Sequence, residues 1–142
     1  MFNISSLSEL KVESKVGKLS KNSEEVFNFL TNFNNFSKLI PQDKIKNWIA
    51  SEDSCSFEIE KVGMIGLEIV EKEPFKLIKI KGSETVPYKF FLWIQLKEID
   101  PNDTRIKLTI KANLNPMIKS VAKKPLQEFV DSLVDQMQKL FI

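Results

Sequence analysis

The last segment of the chain, residues 115–142, constrains the fold more than any other. Apolar side chains recur at Ile118, Ala122, Leu126, Phe129, Val130, Leu133, Met137 and Leu140, the 3.6-residue rhythm of an amphipathic helix. Asn115 is placed to cap it, and Pro116 stands at the first helical position, where a missing N–H costs nothing. Such a helix has one apolar stripe to bury, and most of what precedes it reads as strand. The helix must therefore lie across one face of a sheet, over either a filled core or a cavity.

Leu10, Val12, Ser14 and Val16 alternate with Glu9, Glu13 and Lys15, which predicts a half-buried first strand. Ser20 or Asn22 then caps a helix that carries Glu24 and Glu25 in its first turn and buries Val26, Phe27, Phe29 and Leu30. Phe33, Phe36 and Leu39 suggest a second short helix that ends before Pro41. Strands follow in quick succession. Their apolar rows are Ile45, Trp48 and Ile49; Cys55, Phe57 and Ile59; Ile65, Leu67 and Ile69; Ile78 and Ile80; Phe90, Leu92, Ile94 and Leu96; and Ile106, Leu108, Ile110 and Ala112. Asp100-Pro101-Asn102-Asp103 suits a tight reversal between the last two. The prediction is one α+β domain over residues 1–142. A curved antiparallel sheet of about seven strands wraps the C-terminal helix, with two short helices between the first and second strands.

Composition narrows the function by what is missing. A chain of 142 residues buries roughly two-thirds of the surface its unfolded form exposes. Its net charge of +2 gives no global attraction to nucleic acid. The cations are almost all lysine, Arg105 being the only arginine. There is no histidine, hence neither the commonest neutral-pH base nor the commonest zinc ligand. The lone Cys55 allows no intrachain disulfide and suits a reducing compartment. Residues 1–6 show no secretory pattern, and no stretch approaches the roughly 18 apolar residues of a membrane span. A cytoplasmic protein with no metal site, no cofactor and no assigned catalytic residue is expected.

The element order and three local strings resemble the START-like (SRPBCC) superfamily, the helix-grip fold of polyketide cyclase/dehydrase and birch-pollen-allergen-like proteins. The first string is Ser23-Glu24-Glu25-Val26-Phe27-Asn28-Phe29-Leu30-Thr31-Asn32 with Leu39-Ile40-Pro41. The second is Gly66-Leu67-Glu68-Ile69-Val70-Glu71-Lys72-Glu73-Pro74. The third is Asn113-Leu114-Asn115-Pro116-Met117 leading to Lys124-Pro125-Leu126-Gln127. They mark helix entry, a strand end and helix capping, and none is catalytic. The resemblance implies an internal apolar cavity between sheet and final helix, without a particular chemistry.

On that reading Phe57, Ile59, Leu67, Ile69, Phe90, Leu92, Ile110, Met117, Val121, Phe129 and Leu133 are the expected ligand-binding lining. The expected partner is a small hydrophobic or amphipathic molecule, such as a lipid or polyketide-like compound, bound or transported. One alternative is a cyclase- or dehydratase-type enzyme using a cavity carboxylate or Tyr88; Asp43, Glu58, Glu68 and Glu71 are the carboxylates on or beside strands. The absence of histidine favours binding over catalysis. Another alternative is an interaction module, a homodimer or accessory subunit, whose surface would be Phe91 and Trp93 if Phe90 and Leu92 face inward. Cys55 reads as a buried small hydrophobe. Pro125 predicts a bend near residues 121–124, as a gate or as plain curvature. Lys119, Lys123 and Lys124, with Lys44 and Lys46, would attract an anionic head group or form a solvated face.

Overall fold

The computed structural model describes residues 8–41, 43–83 and 88–142; the leading segment read above, residues 1–6, lies outside them. The first strand is interrupted. β1 (Ser8–Glu13) and β2 (Gly17–Leu19) both pair with one long partner, β8 (Asp103–Leu114). The break has a local cause at Ser14, whose backbone N–H donates to Leu108 O and whose Oγ accepts the Leu108 N–H, both at 2.8 Å. A side chain thus completes the ladder where the strand slips by a residue. Val16, expected inside with Leu10 and Val12, is 61% exposed, and Gly17 and Leu19 take the buried face.

Asn22 caps α1 (Ser23–Leu30), its side chain accepting from Glu25 N at 2.8 Å. The Ser23 N–H and hydroxyl both donate to Glu98 on the sheet, which fixes where the helix starts. A 3-10 helix, Phe33–Lys38, buries Phe33 and Phe36 and leads to β3 (Ile45–Ala50). Here too an irregularity replaces the expected alternation: the register shifts between Lys46 and Ile49, and Asn47 adopts a positive φ of 58°. Asparagine tolerates that conformation better than most residues. The shift leaves Ile45 buried, turns Ile49 out to 70% exposure, and lets Trp48 stack on Phe57 at 5.5 Å.

β4 (Ser54–Ile59), β5 (Gly63–Glu73), β6 (Leu77–Gly82) and β7 (Phe90–Asp100) follow as a meander. The sheet has eight strands in the order β1-β8-β7-β6-β5-β4-β3, with β2 also on β8, and every pairing is antiparallel. Its inner face is covered by α2 (Pro116–Leu140), one continuous helix that contains Pro125. Asn115 Oδ1 accepts from Ile118 N at 3.0 Å and caps it. α2 packs on β1, β2 and β8, and its second half supplies Val130, Leu133, Val134 and Met137 to the core. The architecture is an α+β helix grip. Among the described residues no helix is long and apolar enough to cross a membrane.

Candidate functional site

The first half of α2 does not close down on the sheet as the second half does. Between it and the inner faces of β4, β5, β7 and β8 lies a cavity of about 240 Å³. Its walls are Phe57 and Ile59 of β4, Ile65 and Leu67 of β5, Phe90 and Leu92 of β7, and Ile110, Ala112 and Leu114 of β8. Met117, Ile118, Val121, Ala122, Leu126 and Phe129 of α2 form the roof, and Lys61, Val62 and Tyr88 complete the lining. Two small residues explain why space remains. Ala112 stands beneath and Ala122 above, where larger side chains would meet and fill the gap. The volume falls just below the roughly 300–1,000 Å³ typical of ligand sites, and the walls are almost wholly apolar.

The opening can be located from exposure. Met117 is 77% and Val121 49% exposed, although both line the cavity, so they stand at its mouth. The β4–β5 turn lies at the same end: Lys61 is exposed and lines both the cavity and an adjoining outer vestibule. That vestibule also contains Lys44, Lys124, Asp43, Glu60 and Glu128. A stack of rings backs the cavity, Trp48 on Phe57 at 5.5 Å and Phe57 on Phe129 at 5.6 Å.

Of the residues expected to line a ligand site, Phe57, Ile59, Leu67, Phe90, Leu92, Ile110, Met117, Val121 and Phe129 surround this cavity. Ile69 and Leu133 do not. Ile69 lies one step further along β5, at a bulge between Ile69 and Glu71, where its N–H donates to Asp53 O. Leu133 is one helical turn beyond Phe129, in the filled half of the interface. Ile65, Ala112 and Leu114 share the inward rows already recognised, and Ala122 and Leu126 lie on the helix stripe. Lys61 and Val62 had no periodic signal, because they sit in a turn.

None of the four candidate carboxylates lines the cavity. Asp43 pairs with Lys44 at 3.6 Å in the vestibule, and Glu68 pairs with Lys81 at 3.9 Å. Glu58 accepts from Asn47 Nδ2 at 3.2 Å, and Glu71 is exposed opposite Lys79. Of the candidates read from the sequence, only Tyr88, half-buried, is among the described residues of the lining. Cys55 is buried, and burial pushes its thiol up to about 12, which keeps it protonated and unreactive. Phe91 and Trp93 occupy the outer face, since Leu92 is buried between them. Lys79 Nζ lies 4.6 Å from the Phe91 ring, and Lys111 Nζ 5.9 Å from that of Trp93. Lys119 donates to Ser8 Oγ at 3.4 Å, whereas Lys46 and Lys123 are exposed.

No family model matches the chain, and no curated protein matches it in sequence. Solved structures do match it in shape. Norcoclaurine synthase from Thalictrum flavum superimposes with a TM-score of 0.73 at 11% identity, covering 97% of this chain and 89% of that one. A START superfamily protein from Mycobacterium smegmatis gives 0.66 at 12% identity, over 92% and 96%. An aromatase/cyclase from Streptomyces gives 0.64 at 11% identity, over 93% and 95%. Identities this low speak for the backbone and not for chemistry. The chain has the helix-grip fold of the START-like (SRPBCC) proteins.

Proposed function

We propose that this protein binds and carries a small hydrophobic or amphipathic molecule in the cavity beneath the first half of α2. The observation that carries the reading is an apolar cavity with an opening, whose lining includes the small residues Ala112 and Ala122. The driving force is removal of apolar ligand surface from water, at about 25 cal/mol per Å² before the costs of binding are subtracted. A structure of norcoclaurine synthase in complex with dopamine and hydroxybenzaldehyde has the same fold, with a TM-score of 0.72, and it supports a small molecule as the occupant. We place the carrier in the cytoplasm, where its single buried thiol stays reduced.

Carriage is favoured over catalysis because, among the described residues, the cavity wall holds no carboxylate, and Tyr88 and Lys61 are the only groups in it suited to acid–base work. Native mass spectrometry of the purified protein tests the reading. A stoichiometric small molecule, resident or taken up from a lipid extract, is the expected result. A protein that carries nothing and takes up nothing would overturn it.

A further inference from the structure

Among the described residues, Lys61 and Tyr88 are the only cavity-lining ones with polar side chains. Among the described residues Lys61 is also the only charged one that lines both the cavity and the vestibule. From this juxtaposition we infer that the ligand is an anionic amphiphile, a medium-chain monocarboxylate whose tail fills the cavity and whose head group meets the Lys61 ammonium at the mouth. The inference rests on the carrier reading and adds the ligand's charge and polarity.

Three further observations support it. Among the described residues neither Lys61 nor Lys124 takes part in an ion pair, while Lys44 is held by Asp43. Two ammonium groups at the mouth are therefore uncommitted. Lys61 also occupies a costly backbone position. Val62 N–H donates to Ile59 O at 3.0 Å, closing a turn in which Lys61 has φ of 72°. Glycine or asparagine is the usual occupant of such a position, so a lysine there is held against local preference, as functional residues commonly are. Finally, the vestibule sets the size of the charge. Asp43, Glu60 and Glu128 balance its three lysines, and the one guanidinium in the chain is bound to Asp103 at 2.8 Å. A point-charge ammonium beside near-neutral surroundings suits one negative charge better than a phosphate dianion.

The volume sets the tail. About 240 Å³ accommodates about eight groups the size of water, at roughly 30 Å³ each, which matches the methylenes of decanoate. The experiment titrates decanoate and decan-1-ol into the protein carrying Trp93→Phe, so that Trp48, stacked on the cavity residue Phe57, is the reporter. In Lys61→Met the ratio of decanoate to decanol affinity should fall about fivefold, and in Lys61→Arg it should hold. Lys61→Gly should lose the same selectivity while its urea midpoint rises, because glycine relieves the positive φ. Binding of both probes with a ratio that no Lys61 variant moves would overturn the anion site and leave the carrier reading standing. Binding of neither probe by the unmodified chain would overturn both.

Discussion

Ala122→Leu adds three carbon atoms to the face of α2 that looks into the cavity. In a filled core such an insertion forces side chains off their rotamers and costs about 1–3 kcal/mol. Here the added atoms need roughly 90 Å³ at the packing volume of water-sized groups, well under the 240 Å³ present. Burial contributes about 0.8 kcal/mol per carbon, about 2.4 kcal/mol in all, and ordering the new side chain takes back about 0.5–1 kcal/mol. The net expectation is a gain of about 1–2 kcal/mol. With a urea slope of about 1–3 kcal/mol per molar, the midpoint of denaturation rises by about 0.3–2 M. Decanoate uptake, followed by Trp48 fluorescence, should fall in parallel as the added side chain takes its place. A midpoint that drops by a similar amount, in a variant with an unchanged circular dichroism spectrum, would refute the cavity, because only a space already occupied makes leucine unwelcome there.

Gly17→Ala should behave oppositely, since an added Cβ would lie 2.5 Å from Val134 Cγ1 and 3.2 Å from Ile106 Cγ2. A loss of about 1–3 kcal/mol in urea unfolding is expected, and an unchanged midpoint would mean that α2 is not seated on β2 as described. Asp103 predicts a response to acid. Its carboxylate accepts from Arg105 Nε at 2.8 Å and Nη2 at 3.0 Å, which holds it below the ordinary carboxylate range. A depressed folded pKa stabilises fully above the unfolded value of about 4 and is lost as pH falls through the folded value. The melting temperature should therefore fall less steeply below about pH 4 in Asp103→Asn, and parallel curves would remove the role. Hydrogen exchange should divide α2 in two. Amides of residues 118–124 should exchange about tenfold or more faster than those of residues 130–140, and uniform protection would contradict a half-supported helix.

Which parts of this design can be read from the residues depends on the range of the interaction that decides each. The limits of α2 were legible because Asn115 and Pro116 act on their own helix. The order of elements was legible because alternation and helical rhythm are local. The split of the first strand was not, because its cause is the pairing of Ser14 with Leu108, a residue on a strand far along the chain. Parity along a strand names the face of a residue but not its position on that face. Leu67 and Ile69 therefore read alike, although only Leu67 reaches the cavity. The same applies along the helix, where Phe129 lines the cavity and Leu133, a turn later, is ordinary core. The most direct clue to the site lay in small residues on apolar rows. Ala112 and Ala122 mark where the layers fail to meet, which becomes visible only when their elements are brought face to face.

On the proposed carrier reading, stability and binding fall to different halves of one helix. The second half is tied to the sheet edge by polar contacts across the whole chain. Lys15 N–H donates to Asp131 Oδ1, Lys18 N–H to Gln138 Oε1 and Ser20 N–H to Phe141 O, all between 2.8 and 2.9 Å. Gln127 Nε2 returns a bond to Glu13 O at 2.7 Å. Beneath these contacts Val130, Leu133, Val134 and Met137 are fully packed, so this half holds the grip closed whatever the cavity contains. The first half has its cap and the Lys119 contact to Ser8, and it rests on open space. Pro125 stands between the two. Lacking an N–H, it cannot satisfy the Val121 carbonyl one turn earlier, so the helix has a missing bond where its support changes. Motion of the first half then costs little packing, while the second half keeps the register of the sheet. On that reading a ligand entering past Met117 and Val121 displaces the half of α2 that has the cavity beneath it.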